Sequence, residues 1–219
     1  MEIPVIRSIL EANSKIAGDL RTLFVRHGIL ALNLISSPGA GKTSLLERTL
    51  RALQSEFRMA VIVGDPQTEN DARRVATTGA KAVQINTEGG CHLDATMIRA
   101  SLAHFNLAEL DILFVENVGN LVCPVEFDCG EDDKVALLSV TEGHDKPEKY
   151  PLLFSLASVL VLNKVDLLPY VDFDLTQAAH FAARFNRGLA VFEVSCRTEQ
   201  GLNAWYDWLR ARHAAKKAM

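Results

Sequence analysis

The stretch ILALNLISSPGAGKTSLLERTL constrains this chain more than any other, because it sets a strand, a glycine-rich loop and a helix one after another. Residues 29–36 form an apolar run of strand length, and residues 42–57 carry apolar side chains at helical spacing. Strand, loop and helix in that order are the setting a phosphate-binding loop requires. Ser37, Pro38, Gly39, Ala40 and Gly41 supply a backbone whose N–H groups can close around phosphate oxygens. Lys42 can reach the β- and γ-oxygens, and Thr43, followed by Ser44, offers a hydroxyl to Mg²⁺. Counting back from Gly41-Lys42-Thr43, the first glycine of G-x-x-x-x-G-K-[ST] falls on Ser36. That position must therefore hold a dihedral open to residues other than glycine.

The rest of the chain repeats the strand and helix beat. MAVIVGD, KAVQIN, DILFVEN, KVALLSVT, SVLVLNK and AVFEVS read as further strands. Helical patterns cover 68–77, 93–105, 174–186 and 201–215. An apolar stripe through Ile6, Ile9, Leu10, Ile16, Leu20, Leu23 and Phe24 predicts an N-terminal helix over about 4–27, ended by His27-Gly28. The expected architecture is α/β, a mostly parallel P-loop NTPase sheet with helices on both faces and the N-terminal helix packed on it. Ligands then bind at the carboxyl ends of the strands. With 219 residues, 48% of them hydrophobic, one domain over 1–219 is expected to fold alone, with a frayed tail over 214–219.

Composition removes several function classes. The net charge of −4 denies the chain the attraction that non-specific nucleic-acid binding depends on. The opening MEIPVIRSILEANSKIAGDL is interrupted by charges, and no apolar run approaches the ~20 residues that cross a bilayer. The expectation is a cytoplasmic protein without membrane or nucleic-acid partners. There its four cysteines, Cys91, Cys123, Cys129 and Cys196, are free, catalytic or metal-binding rather than disulfide-bonded.

The strand SVLVLNK ends in N-K-V-D, and this motif about 120 residues beyond a P-loop segment selects guanine. Asp166 can accept both the ring N1–H and the exocyclic amine of guanine. Asn163 braces the turn, and Lys164 lays its alkyl stem along the base while its head bonds back to the P-loop. Ser195 and Cys196, after the next strand, fall where a backbone N–H can meet the guanine oxygen. Two acidic strand ends remain for the nucleotide's metal. Asp65, or the nearby Asp71, is the candidate from the first switch, and Glu116 lies three residues before Gly119, whose N–H can meet a γ-phosphate. Asn120 follows Gly119 where a glutamine would orient water, and no arginine finger is visible in the chain. GTP hydrolysis is therefore expected to be slow.

Taken in order, SSPGAGKT, GDPQTENDARR, GGCHLDA, VENVGNLVCP, TEGHDKPEKYP and NKVD resemble the hydrogenase nickel-incorporation GTPases, the HypB family, over about residues 5–215. The resemblance implies a SIMIBI-type GTPase that binds GTP or GDP with Mg²⁺ and forms a homodimer around nucleotide. It implies action with hydrogenase maturation partners on the large subunit of [NiFe]-hydrogenase. It also implies that Cys91, His92 and Cys123 form a metal site. Two thiolates and an imidazole suit Ni²⁺ or Zn²⁺, and three ligands leave one position open. The competing reading of such a pair is a buried cysteine beside a surface histidine. The N-terminal cysteine motif or histidine-rich stretch of many family members does not occur here. Cys123 lies seven residues after Glu116, so one segment would sense the γ-phosphate and carry a metal ligand. Cys129 and Cys196 are expected to stay outside the site. The turn at 141–146 and Lys149 are candidates to reach across a dimer. A urease-type nickel GTPase is disfavoured by Val125, which stands where that group has histidine. GTPases serving cobalamin-dependent mutases leave the Cys-His pair unexplained. A small-molecule kinase is disfavoured because N-K-x-D reads a base and not an acceptor, and a metal-binding scaffold with structural nucleotide remains as the alternative from another class.

Overall fold

Leu30, Leu32 and Leu34 point to one face of the first strand, while Ala31, Asn33 and Ile35 point to the other, and all six are buried. A strand apolar on both faces needs cover on both faces, which is what the chain builds. The computed structural model describes residues 3–65, 67 and 69–218, with side chains from residue 9 onward. The side chain of Ile6, counted on the N-terminal stripe, lies outside the described residues, as does Thr68, the expected start of the third helix.

The order of elements is α1 (Ile3–His27), β1 (Leu30–Ser36), α2 (Lys42–Leu53), β2 (Met59–Asp65), α3 (Asn70–Ala76), β3 (Lys81–Asn86), α4 (Ala95–Ser101), β4 (Ile112–Glu116), α5 (Cys123–Glu126), β5 (Asp133–Ser139), α6 (Lys146–Lys149), α7 (Pro151–Leu156), β6 (Val159–Asn163), α8 (Leu175–Phe185), β7 (Ala190–Val194) and α9 (Leu202–Lys217). The strands form one sheet in the order β3-β2-β4-β1-β5-β6-β7, and every neighbouring pair is parallel. A sheet expected to be mostly parallel is thus parallel throughout. The short helices α5, α6 and α7 do not emerge from sequence periodicity, because four to six residues are too few to display a helical period.

One face of the sheet carries α2 and α9, whose Leu45, Leu46, Leu50, Trp205 and Leu209 pack with Leu32, Leu34 and Phe114. The indole N–H of Trp205 donates to Thr49 Oγ1 at 2.9 Å, so the largest buried side chain leaves no donor unpaired. On the other face α1 and α4 cover β2 and β4, and α7 and α8 cover β5 and β6. Ala17, Leu20 and Phe24 bury the stripe of α1 against Ala60, Ile62, Leu113 and Val115. That helix ends where Gly28 takes φ +65°, Gly28 N–H bonding Val25 O at 3.0 Å and Ile29 N–H bonding Phe24 O at 2.9 Å. In place of the loose tail expected after 214, α9 runs to Lys217, because Lys216 is buried with its ammonium 2.6 Å from Asp132, and Arg212 grips Asp133 at 2.8 Å. Among the described residues no helix is long and apolar enough to cross a membrane.

Sheet register sets the stage for chemistry. Glu116, at the end of β4, stands between Leu34 of β1 and Val63 of β2. Asp65 pairs with Asn86, so the loop after β3 begins beside the loop after β2.

Candidate nucleotide and metal site

Ser36, fully buried at the end of β1, occupies the consensus glycine position and uses its hydroxyl. Its Oγ accepts from Lys42 Nζ at 3.0 Å and donates to Ser37 O at 2.7 Å. Gly41 takes φ +106° at the start of α2, and a Cβ there would fall 2.3 Å from Asn163 Nδ2. Thr43 Oγ1 donates to Glu116 Oε1 at 2.7 Å, while Glu116 Oε2 is buried without a hydrogen-bond partner among the described residues. Burial pushes the Glu116 carboxyl up to about 7, against the Thr43 hydroxyl and the Lys42 charge. Burial likewise lowers the Lys42 ammonium, opposed first by Glu116. Lys42, Thr43, Asp65, Asp71, Glu116 and Gly119 line one cavity of about 580 Å³.

Asp65 caps the turn after β2 by accepting Gln67 N–H at 2.8 Å. Asp71 lies in the first turn of α3, 3.4 Å from Arg74 Nη1. Arg74 also lines the cavity, held by Glu47 Oε2 at 2.6 Å and Ser44 Oγ at 3.1 Å. In sequence it reads as one more surface charge; the packing of α3 against α2 brings it to the phosphate loop.

A second cavity of about 290 Å³ is lined by Gly41, Ser44, Lys164, Asp166, Cys196 and Arg197. Asn163 ties its three walls together. Its Nδ2 donates to Ala40 O at 3.0 Å, and its Oδ1 accepts from Lys164 N at 2.8 Å and Cys196 N at 3.3 Å. Lys164 adopts φ +65° and donates to Gly39 O at 2.7 Å, the return to the P-loop foreseen from sequence. Ser195 uses its side chain, which sequence reading left unassigned, to donate to Asp166 Oδ1 at 2.6 Å. Cys196 is buried, and burial pushes its thiol up to about 11.

The third constellation lies on the loops after β3 and β4. The Sγ atoms of Cys91 and Cys123 and a ring nitrogen of His92 all lie within 4.8 Å of one another. Donors on a tetrahedral ion at ~2.0–2.3 Å stand ~3.3–3.8 Å apart, so a modest closing of the two loops would seat one. Glu88 at φ +51° and Gly89 at φ +92° reverse the chain, and Gly90 N–H bonds Thr87 O at 2.8 Å. That reversal lets two adjacent side chains converge. The His92 ring stacks on Phe127 with centroids 3.8 Å apart, and burial lowers its basicity. The Cys91 thiol is pushed up, chiefly by its hydrogen bond with Cys123 and then by burial. Cys129 stays outside the group, buried with Sγ 3.4 Å from Leu93 O.

A parallel sheet with a phosphate loop after its first strand and an Asn-Lys-x-Asp turn after its sixth defines a P-loop nucleotide-binding domain. Residues 30–193 match the family described as CobW/HypB/UreG, nucleotide-binding domain. Hydrogenase maturation factor HypB of Rhizobium leguminosarum bv. viciae is 49% identical over 217 residues, 99% of this chain and 72% of that protein. The crystal structure of hydrogenase maturation factor HypB from Archaeoglobus fulgidus is 38% identical and superposes with a TM-score of 0.86 over 93% of this chain and 99% of that one. HypB from Helicobacter pylori, crystallised in complex with nickel, is 33% identical with a TM-score of 0.89 over 94% of this chain and 97% of that one. The chain belongs to the CobW/HypB/UreG family, among the HypB hydrogenase maturation factors.

Proposed function

We propose that this chain is a slow, GTP-hydrolysing metallochaperone that gates a nickel or zinc ion by its nucleotide state and assists nickel insertion into [NiFe]-hydrogenase. The observation that carries the reading is continuity. The segment leaving β4 lines the phosphate cavity with Glu116 and Gly119, then delivers Cys123 to Cys91 and His92.

Asp166, held by Ser195, accepts the guanine edge, Asn163 braces the base pocket, and the Cys196 N–H closes over it. Lys42 leaves the Ser36 hydroxyl to meet the β- and γ-phosphates, and the Gly119 N–H takes a γ-oxygen. The unpaired Glu116 Oε2 beside the Thr43 hydroxyl fits Mg²⁺, with Asp65 or Asp71 supplying a further oxygen. When bound, that ion neutralises charge developing on the phosphate oxygens. Arg74 is engaged by Glu47 and Ser44, and Asn120 follows Gly119, which supports slow turnover.

The ion carried on Cys91, His92 and Cys123 is cargo, and a nickel complex of a HypB relative supports nickel as that cargo. The fourth ligand comes from water or from a second copy, since a twofold dimer repeats each loop at its interface. Residues 1–219 act as one cytoplasmic GTPase domain, working as a homodimer with the hydrogenase large subunit and its maturation partners. Nickel affinity and sedimentation, each measured with GDP and with a non-hydrolysable GTP analogue, test the reading. A tighter dimer and a changed affinity with the analogue are expected. Metal affinity and oligomeric state indifferent to nucleotide would leave only a scaffold with structural nucleotide.

A further inference from the structure

All four residues from Glu116 to Gly119 line the nucleotide cavity, and Asn117 among them also holds the metal loop through Leu93. At one end Glu116 accepts from Thr43. At the other Gly119 lies so close to the P-loop that an added Cβ would fall 2.9 Å from Pro38 Cγ. Between them Asn117, 1% exposed, accepts the Leu93 N–H on Oδ1 at 2.9 Å and the Val118 N–H at 3.0 Å. Leu93 is the residue after His92.

The Asn117 Nδ2 donates to Asn33 Oδ1 at 3.2 Å, and Asn33 Nδ2 donates to Glu131 Oε1 at 3.3 Å. Glu131 Oε2 then accepts the Cys129 N–H at 2.7 Å, on the far side of the loop that carries Cys123. A buried polar relay thus joins the strand end that senses the γ-phosphate to the flanks of both metal-bearing loops. Because each of these groups is buried, moving the strand end without the Leu93 amide would leave donors and acceptors unpaired. A second buried asparagine makes a different link. Asn13 of α1 accepts the Ala95 N–H at 2.8 Å and donates to Asp128 O at 2.9 Å, tying the two loops to each other without touching the Glu116 segment.

We infer that Asn117 is the positioning residue that carries nucleotide state to the Cys91, His92 and Cys123 triad, while Asn13 sets the separation of the two loops in either state. This rests on the GTP-gated reading above, and one experiment separates the two. Zn²⁺ affinity is measured with GDP and with a non-hydrolysable GTP analogue in the parent, Asn117→Ala and Asn13→Ala. The parent is expected to show an affinity ratio of about fivefold or more between the two states. Asn117→Ala should bring that ratio to one while still binding GDP, and Asn13→Ala should weaken Zn²⁺ in both states and keep the ratio. A purely structural role for Asn117 would lower affinity and leave the ratio as in the parent, which would overturn this inference alone. A ratio of one in the parent would overturn the gated reading itself. If Asn117→Ala no longer binds GDP, amide exchange in the parent decides. Protection of the Leu93 N–H that changes between the two nucleotides supports the link, and identical protection overturns it.

Discussion

Asn163 and Gly41 meet closely enough that the turn reading the base and the loop holding the phosphates are one construction. Asn163 Nδ2 donates to Ala40 O at 3.0 Å, and a Cβ on Gly41 would fall 2.3 Å from the same nitrogen. Gly41 also holds φ +106°, a region that costs other residues ~1–3 kcal/mol. Gly41→Ala should therefore weaken GDP by at least about tenfold, since 1.4 kcal/mol is a factor of ten, with the circular dichroism of the parent retained. Fluorescent-GDP titration checks this, and parent-like affinity would show that the two loops are free to part.

Asp166→Asn should erase the preference for guanine over adenine nucleotides. The amide that replaces the carboxylate accepts at one atom only, at a cost of ~2 kcal/mol from unpaired guanine donors. The Ser195 hydroxyl, which donates to Asp166 Oδ1 at 2.6 Å, keeps the new side chain in place. Competition of GDP against ADP by calorimetry reads the effect. Undiminished GDP selectivity in the variant would move base recognition elsewhere.

Cys91→Ala, His92→Ala and Cys123→Ala should each lower Ni²⁺ and Zn²⁺ affinity by more than about tenfold, whereas Cys196→Ala should not. Protons compete with the ion for all three donors. The Cys91 thiol is raised by its Cys123 hydrogen bond and by burial, so affinity should climb as pH rises. Equilibrium competition against a metal indicator across a pH series measures both effects, and a flat profile would exclude thiolate ligation.

Asp111, just before β4 at the end of the sheet away from the site, accepts from Arg58 N at 2.9 Å, Nε at 3.0 Å and Nη2 at 3.1 Å. The Arg58 hydrogen bonds hold its carboxyl below the usual aspartate range. A depressed folded value contributes stability above the unfolded value, and that contribution is lost as pH falls through the folded one. The Arg58 side chain is 59% exposed, so solvent screens the pair, and Asp111→Asn should cost about 1 kcal/mol at pH 7. The gap to the parent should close as pH drops below about 3.9. Urea unfolding at several pH values tests it, and a gap that widened toward acid would reverse the assigned sign.

What the sequence determined by itself was everything with a local cause. A strand run into small residues and then a helix gives a phosphate loop its shape within some fifteen positions of chain. The unbroken apolar run of β1, buried on both faces, and the helical stripe of α1 announce which faces need cover. The positions of Lys42, Thr43 and Gly41 in the loop, and of Asn163 and Lys164 in the later turn, follow from motifs that carry their own backbone geometry. Short helices such as α5 escape because their few residues are shaped by packing and not by period.

Tertiary structure alone decided which distant groups meet. Arg74 reaches the phosphate cavity because α3 lies on α2, and Ser195 reaches Asp166 because β7 is beside β6. Cys123 finds Cys91 and His92 because β4 and β3 flank β2, which sets the loops after them side by side. Asn13, Asn33 and Asn117 carry no signal at all in one dimension. A buried amide declares its role only through the partners it finds, and those partners stand as much as 115 residues away, at separations where loop closure and sheet order, and not local preference, choose the neighbour.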